Sequence, residues 1–266
     1  MTGKGARDRR HADTRAIVTG GTQGLGLAIA RRLIAEGAPA VAIAGRNEAR
    51  GRKAERELSG QGATVRFIRA DVADPGDCRN LVRQSIAAFG EVNALVNSAA
   101  TTTRGTLVDT DPALWDEHMN TNLRGPFLLM QDFVAHRLAR KKPGAIVNIL
   151  SMSAHGGQPF LTAYSTSKGA LATLTKNVAH AYRANRIRAI GINAGWMDTP
   201  GEDAIQKRFH DAPDDWLEKA EASQPMGQLV KPDHVAALAA YLLSPEAGVM
   251  TGAIVDFDQN VAGASG

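Results

Sequence analysis

Thr19-Gly20-Gly21-Thr22-Gln23-Gly24-Leu25-Gly26 follows an apolar run at 15–19 and opens a helical pattern at 24–36. Glycines so placed let the backbone turn sharply from strand to helix. They also let a pyrophosphate approach the helix N-terminus, where free amides and the helix dipole favour an anion. The spacing is T-G-x-x-x-G-x-G, not the G-x-G-x-x-G of the usual dinucleotide fingerprint, because position 29 is isoleucine. A glycine-rich turn alone is a weak signal; its place between strand and helix strengthens it.

Outward from this turn the chain keeps alternating. β-rich runs are expected at 15–19, 40–44, 64–70, 94–97, 145–150, 187–192 and 253–257. Helical patterns fall at 24–36, 48–58, 75–89, 112–140, 162–183 and 232–243. Nearly apolar strands separated by helices predict an α/β fold, a doubly wound parallel sheet of about seven strands covered on both faces. No linker or repeat divides residues 14–266, which are read as one Rossmann-type domain. The alternation breaks at 198–226, a polar stretch carrying Phe209 and Trp216. So long an insertion beside a sheet's carboxyl edge reads as a lid over a ligand.

Composition excludes several classes. No apolar run approaches the ~20 residues of a membrane helix. Residues 1–13 are basic and polar (Lys4, Arg7, Arg9, Arg10, His11), lack a secretory core, and are expected to form a disordered tail. The net charge of +4 is spread along the chain, so neither nucleic acid nor membrane is expected as a partner. Cys78 is the single cysteine, which rules out an internal disulfide and suits a cytoplasmic protein. The histidines lack zinc-ligand spacing, so no metal is expected.

The chemistry is concentrated in Tyr164-Ser165-Thr166-Ser167-Lys168. On a helix these two side chains share a face, about 6 Å apart along the axis. An ammonium about 4 Å from a phenol, at an effective dielectric of about 20, favours the phenolate by roughly 4 kcal/mol. That is about three pKa units before burial pushes back, so the pair is expected to exchange protons near neutrality.

With the glycine-rich turn, this pair resembles the short-chain dehydrogenase/reductase family in its compact single-domain form, from about residue 16 to 257. The resemblance implies further site residues. Ser151, thirteen residues before Tyr164 at a strand end, matches the family's catalytic serine, and Asn122 its catalytic asparagine. Asp71, followed by Val72, matches the aspartate that holds adenine, and Asn97 remains from the family's N-N-A-G. Gly195 and Thr199 match nicotinamide and phosphate contacts, with the Met197 backbone a carboxamide partner. Tyr164 is then the acid–base, Lys168 lowers its pKa and holds the nicotinamide ribose, and Ser151 stabilises the reacting oxygen. Asn122 anchors a water that links Lys168 to solvent. Departures stand at Ala100, Ala194 and Gln259-Asn260.

The second strand ends in Gly45-Arg46, where an acidic residue would bind a ribose diol. Arg46 instead suits a 2′-phosphate, so NADP is expected ahead of NAD, with Glu48 keeping NAD open. Substrate is expected beyond the strands' carboxyl ends, near Thr101, Thr102, Ser153, His155, Gln158, Asn193 and Trp196, with Lys207, Arg208 and His210 on the lid. This polar set suits a sugar or polyol. The alternatives are a 3-ketoacyl thioester reductase and a non-catalytic dinucleotide sensor. Surplus apolar residues on 112–140 and 162–183, with the family resemblance, point to a homotetramer.

Overall fold

The structure is a computed structural model that describes residues 10–264. Its strands follow the apolar runs: β1 (Arg15–Thr19), β2 (Ala40–Gly45), β3 (Thr64–Arg69), β4 (Ala94–Asn97), β5 (Gly144–Ile149), β6 (Ile187–Ala194) and β7 (Ile254–Phe257). All pair in parallel, in the order β3-β2-β1-β4-β5-β6-β7. The order reverses beside β1, so the crevice at the carboxyl edge lies between the β1 and β4 connections.

The helices are α1 (Gly24–Ala35), α2 (Glu48–Ser59), α3 (Pro75–Phe89), α4 (Pro112–Met119), α5 (Gly125–Ala139), α6 (Thr162–Tyr182), α7 (Pro200–Phe209), α8 (Trp216–Ala222) and α9 (Pro232–Leu243). Local chemistry starts many of them. Asn47, Asp74, Asp111 and Thr199 cap α2, α3, α4 and α7 by accepting from a backbone N–H three residues on, and proline opens the last three.

Side chains alternate across the sheet. Ala16, Val18, Val41, Ile43, Val96 and Val147 pack under α1 and α9 against Ile29, Leu33, Val235 and Leu242. Ile17, Ala42, Leu95 and Ile146 face the other way, against Leu81, Leu129, Phe133 and Leu171 of α3, α5 and α6. Burial of one such leucine or isoleucine contributes about 1.5–3 kcal/mol. A polar thread crosses this second layer: Asn97 Nδ2 donates to Asn148 Oδ1 at 2.8 Å, and Asn148 Nδ2 donates to Thr175 Oγ1 at 2.8 Å. It pins β4, β5 and α6 at one height.

Two expectations are corrected. The expected tail overruns the ordered body, because Arg10 pairs with Glu36 at 3.0 Å and His11 is buried against Ala240 O at 3.0 Å. Residues 1–9 lie outside the described residues. The helix expected at 112–140 is broken by a π turn at Asn120–Arg124, which its apolar pattern does not reveal. The stretch at 198–226 contains two helices, α7 and α8, joined by Trp216 Nε1 donating to Asp203 Oδ1 at 2.8 Å.

Candidate active site

One cavity of about 980 Å³ runs along the carboxyl edge, from the β1–α1 turn to α7. The turn is built for close approach. Gly20 sits at φ +65°, and a Cβ on Gly26 would lie 2.4 Å from Gly20 O. No side chain caps α1, so its first amides face the cavity at Gly24, Leu25 and Gly26, with Thr22 and Gln23 on the same wall. Thr19 Oγ1 accepts from Ser98 N at 3.0 Å and Ala99 N at 3.1 Å, tying the ends of β1 and β4 together. Such a cradle fits a pyrophosphate.

Further along, Asp71 and Val72 line the wall; one Asp71 oxygen accepts from Ala73 N at 3.0 Å. Arg46 lies exposed on the rim with Arg50 and has no ion-pair partner among the described residues. A Cβ at Gly45 would come within 3.0 Å of Thr22 Oγ1, so an acidic side chain there would displace Thr22. Gly195, Met197 and Thr199 line the far wall. Bonds from Asp198 N to Val230 O and from Val230 N to Trp196 O leave the Met197 amide and carbonyl outside the bridge. The residues present fit a dinucleotide.

Asn97 is a correction. Its side chain turns into the core toward Asn148, and it does not line the cavity.

Ser151, Tyr164 and Lys168 meet at the middle of the cavity. Ser151 follows β5 in extended conformation and accepts from Ser153 Oγ at 2.9 Å. Tyr164 and Lys168 share the inner face of α6, with the ammonium 5.7 Å from the phenol ring centroid. The expected lowering of the phenol is not met. Burial raises Tyr164, while its bond with Ser151 and the Arg104 charge pull it back and Glu202 raises it further. Lys168 instead donates to Ile149 O at 2.8 Å, and burial lowers it to about 8. The proton exchangeable near neutrality therefore sits on Lys168.

Asn122 is fully buried in the π turn. Its amide accepts from Thr101 N at 2.9 Å and donates to Thr101 O at 3.0 Å and Ser167 Oγ at 3.1 Å. Both amide protons are used, so its side chain braces the β4 loop against α6. The water expected at this residue could reach it only through carbonyl oxygens.

At the substrate end, Thr102, Ser153, Gln158 and Trp196 line the cavity as expected. His155 and Asn193 do not. Both turn toward Asp256 on β7, at 3.0 Å and 2.7 Å, in a cluster where His155 and Asp256 are exposed and Asn193 is buried. Thr101 points away, donating to Glu117 at 2.6 Å. Of Lys207, Arg208 and His210 only His210 lines the cavity, because Lys207 is paired and Arg208 lies over Phe209. Sequence reasoning missed Arg104, Glu202, Gln206 and Gln224, which line it. Polar residues just past the expected Thr101–Thr102 and at the start of the lid were the available signal.

Cys78 is buried, donates to Val72 O at 3.3 Å, and is pushed up to about 12 chiefly by burial. It is a core thiol. Among the described residues there is no cluster that could hold a metal ion and no helix long and apolar enough to cross a membrane.

The family model described as enoyl-(acyl carrier protein) reductase matches residues 20–260. An uncharacterized oxidoreductase of Thermotoga maritima is 35% identical over 239 residues, 89% of this chain and 91% of its own length. The NADP-dependent (R)-specific alcohol dehydrogenase of Lentilactobacillus kefiri is 33% identical, covering 90% and 92%. A crystal structure of a substituted actinorhodin polyketide ketoreductase with NADPH superposes with a TM-score of 0.86 at 30% identity, covering 92% and 96%.

Proposed function

The chain belongs to the short-chain dehydrogenase/reductase family of oxidoreductases, which use NAD or NADP, and we propose that it interconverts a secondary alcohol and a ketone on a small polar substrate of the sugar or polyol class, preferring NADP. The observation that carries this reading is the convergence of Ser151, Tyr164 and Lys168 between a glycine cradle and a polar end wall.

When bound, the nicotinamide cofactor supplies or accepts the hydride. The chain handles the proton. Tyr164, held protonated by burial, donates to the carbonyl oxygen in reduction and receives the hydroxyl proton in oxidation. Ser151 hydrogen-bonds that oxygen and stabilises the charge that develops on it. Lys168 holds a proton for return to the phenol and orients the ribose. Asn122 fixes the β4 loop that bounds the site. The cradle binds pyrophosphate through Gly20, Thr22, Gln23, Gly24, Leu25 and Gly26; Asp71 and Val72 bound the adenine.

Preference for NADP is supported by Arg46, which has no ion-pair partner among the described residues, by crowding at Gly45, and by the NADP and NADPH in the names of two similar proteins. Loss of His155 and Asn193 from the wall is offset by Arg104, Glu202, Gln206 and Gln224, so the end wall stays polar. The second reading, a 3-ketoacyl thioester reductase, is favoured by likeness to the polyketide ketoreductase. A screen of polyols, sugars and an acetoacetyl thioester with each cofactor, read at the nicotinamide absorbance, separates the two. Turnover of the thioester alone rejects the polyol reading; turnover of nothing rejects both.

A cytoplasmic homotetramer completes the proposal. Of the apolar residues on 112–140 and 162–183, Leu129, Phe133, Val134 and Leu171 are core residues. What remains outside is Phe127, 44% exposed, with Leu123 and Leu174 along one apolar groove. Sedimentation at micromolar concentration tests the assembly, and a 28.2 kDa species alone rejects it.

A further inference from the structure

Arg104 and Glu202 come from opposite rims of the cavity: the loop after β4 and the first turn of α7. Their side chains keep 14% and 16% of their surface exposed. Glu202 Oε1 accepts from Trp196 Nε1 at 2.8 Å and Gln206 Nε2 at 2.7 Å, which fix the carboxylate; Arg104 stands further off at 3.6 Å. Its other oxygen, Oε2, has no hydrogen bond among the described residues. The guanidinium is loosely held, at 3.3 Å from Thr102 O and 3.4 Å from His210 Nε2, and lies across the Phe160 ring at 5.6 Å. Both line the same cavity as Ser151 and Tyr164, and both charges act on the phenol.

A cation and a carboxylate side by side, each with bonding capacity left, select among substrates. An alkyl group would desolvate both charges and satisfy neither. A carboxylate would satisfy Arg104 but face Glu202. A hydroxyl both donates and accepts, so it can donate a hydrogen bond to Glu202 and accept one from Arg104. We propose, on the carbonyl-reducing reading of this cavity, that Arg104 and Glu202 together recognise a hydroxyl neighbouring the reacting carbon, which makes the substrate a hydroxyketone or vicinal diol.

Three four-carbon ketones test this with NADPH: butan-2-one, 1-hydroxybutan-2-one and 2-oxobutanoate. The wild type should favour the hydroxyketone over butan-2-one in kcat/KM by roughly 10- to 100-fold, the span for hydrogen bonds to charged groups. In Arg104→Met and in Glu202→Gln that ratio should fall toward one. A wild-type ratio near one overturns the proposal whether or not the variants fold, as does a ratio unchanged in both; ketone reduction itself then stands. A preference for 2-oxobutanoate that is lost in Arg104→Met and kept in Glu202→Gln replaces hydroxyl recognition with anion recognition. No turnover of any of the three rejects the ketone-reducing reading beneath the proposal.

Discussion

Replacing Lys168 by methionine probes the balance of forces at the centre of the site without a substrate. The ammonium is 3% exposed and lowered from 10.5 to about 8 by burial. At about 1.36 kcal/mol per pKa unit, holding it charged costs the folded protein about 3 kcal/mol at neutral pH. The sign follows from proton counts. Below about 8 both states carry the proton and the penalty is full; between about 8 and 10.5 the folded state has released it while the unfolded state keeps it, so stability rises with pH. From about pH 7 to about 9.5 the wild type regains roughly 2 kcal/mol through this residue, and Lys168→Met does not. Tyr164, shifted upward, stays protonated in both states over that window. The substitution also strips Ile149 O of its donor, which costs about 1–3 kcal/mol at every pH. The readout is therefore the change in the wild-type minus variant difference between the two pH values, from urea unfolding with linear extrapolation. Parallel stability curves for the two proteins would refute the argument that a buried charge is being held at a cost.

Tyr164→Phe should abolish turnover while leaving cofactor affinity within a few-fold, measured by kinetics and nucleotide titration; full activity rejects the acid–base role. Arg46→Asp should move the NADP-to-NAD ratio of kcat/KM toward NAD by about tenfold or more, the scale of a lost charge-assisted bond to phosphate. An unchanged ratio means that Arg46 does not read the phosphate. Asn97→Ala should lower stability by about 1–3 kcal/mol, because Asn148 loses its donor, with cofactor affinity preserved. A large loss of cofactor affinity at unchanged stability would return Asn97 to the binding site.

Most of the fold was legible because its determinants are local. Parallel strands buried on both faces must be apolar runs, and the caps Asn47, Asp74 and Asp111 mark helix starts one residue at a time. Tyr164 and Lys168 are legible as a pair in their four-residue spacing, whereas Ser151 is pointed to by the family resemblance. What failed depends on distant partners. His155 and Asn193 leave the cavity because Asp256 lies beside them, 101 residues beyond His155. Lys168 was expected to lower the phenol and hold the ribose, and the Ile149 carbonyl that accepts from its ammonium belongs to another element. Arg104 and Glu202 read as ordinary surface charges in the sequence, and only the fold sets α7 against the loop after β4 so that they face each other.

The π turn at Asn120–Arg124 carries a consequence for how this chain can vary in length. One residue of an α-helix corresponds to about 100° of rotation, so the wide turn works as a phase shifter between α4 and α5. It lets Asn122 face Thr101 while Leu129 and Phe133 still face the sheet. Deleting one residue there would give a straighter and better bonded helix. It would also rotate either the asparagine out of its brace or the leucine–phenylalanine stripe out of the core. Substitutions in this segment can be graded in their effect, whereas a change of length by one must break one layer or the other.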